Sequence, residues 1–171
     1  MMKQLVLGVG LATALACTAP AAFAQNTTGQ KFLKEAMEGS LAEIQMGKLA
    51  QEKGNSPGVR DFGKTLVDDH TKAEQKAQDA ARSAGLQPVG EPNKKQRDMY
   101  QKMSQKSGAA FDRAFIKDMV SDHKKDVKEH EKHAKDSNRA VADYVNAVLP
   151  DLRKHLQMAE SLQKSETTGS R

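Results

Sequence analysis

Met119–His133 reads MVSDHKKDVKEHEKH and decides how the rest of the chain is read. It holds three of the five histidines. Its first seven residues align with LVDDHTK (Leu66–Lys72) around an Asp-His pair. Phe111, Phe115, Met119, His123, Val127, His130 and Ala134 follow at intervals of three and four, the repeat of one face of an α-helix. His123 lies on that apolar line, and His70 lies on the corresponding line of its own segment. A titratable ring on a core line needs a partner, either a hydrogen bond or a metal.

Working outward, the same periodicity marks four long helices. The first spans about residues 31–53, with Phe32, Ala36, Ser40, Glu43, Gly47 and Ala50 on its inner line. Gly39 and Gly47 flank Glu43. Each costs roughly 1 kcal/mol of helix stability against alanine, and close approach of another helix is the expected return. Gly54-Asn55-Ser56-Pro57 stops one helix and starts the next, so the first two form a hairpin. The second spans about 57–84, with Val59, Phe62, Leu66, His70, Ala73 and Ala77 inward. Residues 85–91 are a loop, and a short peripheral helix is expected within 92–106. The third long helix spans about 109–135. After the tight turn Asp136-Ser137-Asn138, the fourth spans about 139–164, with Val141, Val145, Val148, Leu152, His155, Ala159 and Leu162 inward. Pro150 lies inside it and should kink it unless neighbours hold it straight. Residues 166–171 read as a disordered tail. No segment alternates with period two, so the expected fold is all-α: an antiparallel four-helix bundle over residues 25–165, with a long crossover carrying a short helix between the second and third long helices.

The ends and composition bound the function. Lys3, the apolar run Leu5–Ala16 and Ala22-Phe23-Ala24 have the anatomy of a cleaved secretory signal peptide over 1–24. This implies a periplasmic or secreted protein with no membrane span after cleavage; a lipoprotein site at Cys17 is the less favoured reading. Cys17 is the only cysteine, so the mature chain has no disulfide or thiolate chemistry. Charged residues of both signs make up 29% of the chain and aromatics only 4%, which argues against nucleic-acid binding by stacking. The basic balance, with a pI of about 9.3, suggests weak association with an acidic envelope surface. No phosphate-cradling glycine loop or Ser-His-Asp arrangement is present, so the chain reads as a binding protein rather than an enzyme.

Each long helix puts one polar residue on its inner line: Glu43, His70, His123 and His155. At about 1.5 Å per residue, the two positions within each hairpin differ in height by one turn or less. If the hairpins pack level, one carboxylate and three imidazoles converge, a donor set for Zn, Fe, Cu, Ni or Mn. The competing reading is a buried hydrogen-bonded Glu/His network in a non-catalytic structural or interaction protein. Asp69 and Asp122 point about 100° away from the core line, as residues supporting the histidines or lying at the surface. His130 continues the core line. His133 falls toward the edge, where Asp126–His130 and Glu129–His133 read as surface i,i+4 pairs or a more exposed second site.

EIQMGKLA around Glu43, DDH before Thr71, Phe111-Asp112, the Asp122-His123 pair and LPDLRKHL (Leu149–Leu156) together resemble the exported bacterial family called domain of unknown function 4142. Its members are often labelled outer membrane or periplasmic proteins. The resemblance covers roughly residues 30–162. It implies a ferritin-like four-helix bundle and little about activity; envelope metal handling or stress tolerance is the role expected if Glu43, His70, His123 and His155 hold a metal. Ferritin-like di-iron sites use Glu-x-x-His on two helices. Here Val67, Val120 and Leu152 stand three residues before the inner histidines, so a di-iron centre is not expected. A mononuclear metal oxidoreductase is a third, lesser reading. His130 is a further departure, at a position where the family pattern leads one to expect an apolar residue.

Overall fold

The computed structural model describes residues 28–169; the expected signal peptide lies outside them, as do residues 170–171. Five helices account for nearly all of the described chain, and no strand occurs among those residues. They are α1 (Thr28–Lys53), α2 (Pro57–Ser83), α3 (Lys94–Ser104), α4 (Gly108–His133) and α5 (Arg139–Gly169). α1 packs chiefly on α2, α2 also on α5, and α5 on α4, which makes a bundle of four long helices. The short α3 lies across the connection from α2 to α4, touching α1 and α4. α5 runs unbroken through Pro150 and on to Gly169, four residues into the segment that reads as a tail.

Local chemistry sets the boundaries. Ser56 caps α2, its Oγ accepting from the Val59 amide at 3.3 Å, with Pro57 in the first turn. Buried Asp112 reaches across from α4 and accepts from the Asn55 and Ser56 amides, each at 2.8 Å. One carboxylate thus satisfies two turn donors and locks the α1–α2 turn to the start of α4. α3 opens with a capping box between Asn93 and Gln96. The Asn93 side chain also donates to Glu38 on α1 at 3.1 Å.

The glycine expectation divides. A Cβ on Gly47 would stand 2.6 Å from the Gly63 carbonyl oxygen, and one on Gly63 would stand 2.6 Å from that of Gly47. α1 and α2 therefore touch backbone to backbone, as the Gly47 reading anticipates. Gly39 faces open space, with nothing within 4 Å.

The core is split in two by a polar layer. One apolar half gathers Met46, Leu49, Val59, Phe62, Leu66, Phe111, Phe115 and Met119. The other gathers Phe32, Leu33, Met37, Ala77, Ala81, Val141, Tyr144, Val148 and Leu152. In sequence, Glu43 falls between the two halves on α1, His70 on α2, His123 on α4 and His155 on α5, and all four are buried. Hydrophobic burial does not explain this layer, nor the other buried polar side chains Gln30, Ser40, Glu74, Asp112, His130 and His133.

Candidate metal centre

Three of the four layer residues come together. His70, His123 and His155 each offer one ring nitrogen, and these nitrogens all lie within 4.8 Å of one another. The ring centroids are 5.9 Å apart for His70–His123, 5.3 Å for His70–His155 and 5.4 Å for His123–His155. Phe62 closes the cluster on its apolar side, with its ring 6.4 Å from His123 and 6.3 Å from His155. The rings are 4%, 0% and 1% exposed. A tetrahedral set of Zn–N bonds has N···N edges of about 3.3 Å. From a triangle no wider than 4.8 Å, each nitrogen would travel less than about 1 Å to reach that geometry.

The outer nitrogens fix the orientation of two rings. His123 Nδ1 donates to the Met119 carbonyl at 3.0 Å. His155 Nε2 donates to Asp69 Oδ2 at 3.1 Å. Both acceptors lack a proton to give, so His123 Nε2 and His155 Nδ1 carry lone pairs. These two atoms are buried and have no hydrogen-bond partner in the protein; the same is true of both ring nitrogens of His70. Burial, reinforced by the His155, His123 and His130 rings, holds the His70 imidazole well below its ordinary pKa. Burial, with His155 beside it, brings His123 down to about 4. Burial also lowers His155, against the opposing pull of Asp69. All three rings are therefore neutral near pH 7, the form that ligates a metal.

Glu43 stays apart from this group. The height argument brings it to the right layer, but height does not set rotation about the helix axis. Its side chain faces the seam between α1 and α4, in a cavity of about 310 Å³ that it shares with Asp118, Asp122 and Asp126. Among the described residues, the side chains close enough together to hold a metal are the three histidines, without Glu43. Asp69 supports His155, while Asp122 pairs with Lys125 at 3.2 Å on the surface. The two alternatives left open for these aspartates are each realised once.

His130 is buried, in keeping with its place on the core line, whereas the burial of His133 differs from its expected edge position. Each is only 7% exposed. His133 stacks on Phe32, centroids 4.2 Å apart and planes at 20°, and its Nδ1 lies 2.9 Å from Asp136 Oδ2. Its contact with Glu129 is a distant 3.8 Å. His130 packs edge-on against the same Phe32 ring, and its Nδ1 donates to the Asp126 carbonyl at 2.8 Å, not to the side chain. The missed signal was Phe32: at the start of the first helix it sits level with the end of α4, and an aromatic there covers both rings. Beside them, a cavity of about 110 Å³ lined by Phe32, Asp126, His130 and Tyr144 reaches His70.

No helix among the described residues is long and apolar enough to cross a membrane. No curated protein matches the chain, and no solved structure does. The model of the family described as "Domain of unknown function (DUF4142)" matches residues 13–162, so the chain belongs to that family.

Proposed function

We propose that this protein is an exported, ferritin-like helical bundle that binds one transition-metal ion through His70, His123 and His155. The observation that carries this reading is a count of donors. His123 and His155 have already given their N–H groups to Met119 and Asp69. Their inward nitrogens can only accept. Within the cluster, His70 alone can donate, and to one of them at most. These side chains alone thus supply too few donors to close a Glu/His hydrogen-bond network, which supports a metal over that alternative. A cation accepts all three lone pairs at once.

An all-imidazole set, without the carboxylate, suits Zn²⁺, Cu²⁺ or Ni²⁺ better than Mn²⁺. Three protein ligands leave a position for water or a small ligand, and the cavity that reaches His70 supplies room for one. Metal handling in the cell envelope fits the signal peptide expected over 1–24.

The test is elemental analysis of untagged protein purified from the envelope fraction, then of stripped protein after dialysis against each metal. The expected result is about one ion per chain in the wild type and none in His123→Ala. Protein that refuses zinc, copper, nickel and iron overturns the reading, and leaves a water molecule donating to the ring nitrogens as the occupant of the cluster.

A further inference from the structure

Glu43 is 5% exposed, yet its Oε2 has no hydrogen-bond partner in the protein. It lines the cavity between α1 and α4 opposite Asp118, Asp122 and Asp126. The three aspartates stand at intervals of four on α4, so they form one stripe with about 5–6 Å between successive Cβ atoms. We infer that these four carboxylates form a second cation site, separate from the histidine cluster, for a hard divalent ion such as Mn²⁺ or Mg²⁺ that keeps part of its water shell.

Three observations support it. First, the carboxyls act on one another. Burial first, then Asp126, Asp122 and Asp118, push Glu43 well above the usual carboxylate range. Burial and Asp122 raise Asp118 to about 6 and Asp126 to about 7. A cation in the shared space would relieve that repulsion. Second, the neighbouring amines Lys125 and Lys95 offset it only in part. Lys125 pairs with Asp122 at the rim, and Lys95 also lines the cavity, but Glu43, Asp118 and Asp126 have no ion-pair partner among the described residues. Third, the space fits a hydrated ion. About 310 Å³ holds an ion and several waters at roughly 30 Å³ each. Among the described residues only the histidines close to within 4.8 Å, so the carboxylates would reach an ion partly through water. Oxygen donors with retained water are the chemistry of Mg²⁺ and Mn²⁺, not of the ions that imidazole selects.

The inference does not rest on the histidine reading, and its test keeps the two apart. Stripped full-length protein is titrated with Mn²⁺ alone while the electron paramagnetic resonance signal of free Mn²⁺ is followed. The wild type should bind one Mn²⁺ with a Kd on the order of 10⁻⁴–10⁻³ M, the range of weak carboxylate sites, and excess Mg²⁺ should displace it. Glu43→Gln, which keeps the shape and removes the charge, should weaken binding about tenfold or more. Asp118→Asn, at a half-buried position less critical for folding, should do the same. His123→Ala should bind Mn²⁺ as the wild type does. Wild-type protein that leaves all Mn²⁺ free overturns the inference. So does Glu43→Gln or Asp118→Asn binding at wild-type strength, or a loss of Mn²⁺ in His123→Ala alone, which would assign the ion to the histidines.

Discussion

Asp69 Oδ2 lies 3.1 Å from His155 Nε2, and this contact leaves the lone pair of His155 on its buried, unpartnered Nδ1. Burial alone would raise the Asp69 carboxyl, but hydrogen bonds from His155 and Lys72 outweigh it and hold it below the usual range. The acceptor is therefore ionised, and the ring it holds is more basic at its free nitrogen. Asp69→Ala should leave the metal stoichiometry near one at saturation but weaken zinc binding by about 10–100-fold. Competition against a chromophoric chelator measures it. A variant that binds zinc as tightly as the wild type would show that His155 is not oriented by Asp69.

His70 has no such support, since neither of its ring nitrogens has a partner in the protein. In metal-free protein it is the histidine that contributes least. His70→Leu should make the stripped protein more stable by about 1–3 kcal/mol, the cost of leaving a buried polar group unmade. Zinc should raise the wild-type stability, by about 2.7 kcal/mol at a hundredfold excess over Kd, and should leave His70→Leu unmoved. Urea unfolding in chelator and in zinc gives both numbers. A stripped His70→Leu that unfolds earlier than the wild type would mean that His70 is already satisfied without metal.

The closest approach of α1 to α2 supports a paired prediction. Gly47→Ala would drive a Cβ to 2.6 Å from the Gly63 carbonyl and 2.9 Å from Val67 Cγ2. The carbonyl belongs to the backbone and cannot give unless the helices part. The cost of overpacking, about 1–3 kcal/mol, should exceed the roughly 1 kcal/mol that alanine adds to the helix. Gly39→Ala meets nothing within 4 Å and should stabilise by about 0.5–1 kcal/mol. Urea midpoints moving in opposite directions would confirm the pair; a shift of the same sign in both would refute it.

What the sequence made legible follows from which properties are local. The helices were readable because spacings of three and four persist over seven turns of α4, and because Gly54–Pro57 and Asp136–Asn138 carry their own stop and start chemistry. The level of His70, His123 and His155 was readable because counting from a tight turn gives height directly. Glu43 was at the right level too, but the face it presents depends on how α1 is rolled against α2, and backbone contact at Gly47 and Gly63 sets that roll. His133 was misplaced for a similar reason. Its burial comes from Phe32, a residue about a hundred positions away, and from Asp136 in the turn beyond its own helix. Periodicity along α4 carries no trace of either.

Glu74 offers a test of burial that needs no metal. It is 6% exposed; Oε1 accepts from Gln78 Nε2 at 3.0 Å, while Oε2 has no partner. Burial raises its carboxyl above the ordinary range, and the Gln78 hydrogen bond offsets only part of that. The folded chain therefore prefers the protonated form more than the unfolded chain does. Below the unfolded carboxyl's pKa, about 4.3, both states are protonated and this preference is fully expressed. As pH rises through the raised folded value, the folded state must ionise a buried acid and the stability is lost. Glu74→Gln keeps the neutral shape at every pH. In chelator-treated protein it should melt with the wild type near pH 4 and roughly 2–4 °C above it near pH 7.5, the shift expected for about 1 kcal/mol in a chain of this size. Calorimetry at the two pH values decides it: the gap must open as pH rises, and a gap that is constant or that closes would mean Glu74 is ionised at no cost in the folded protein.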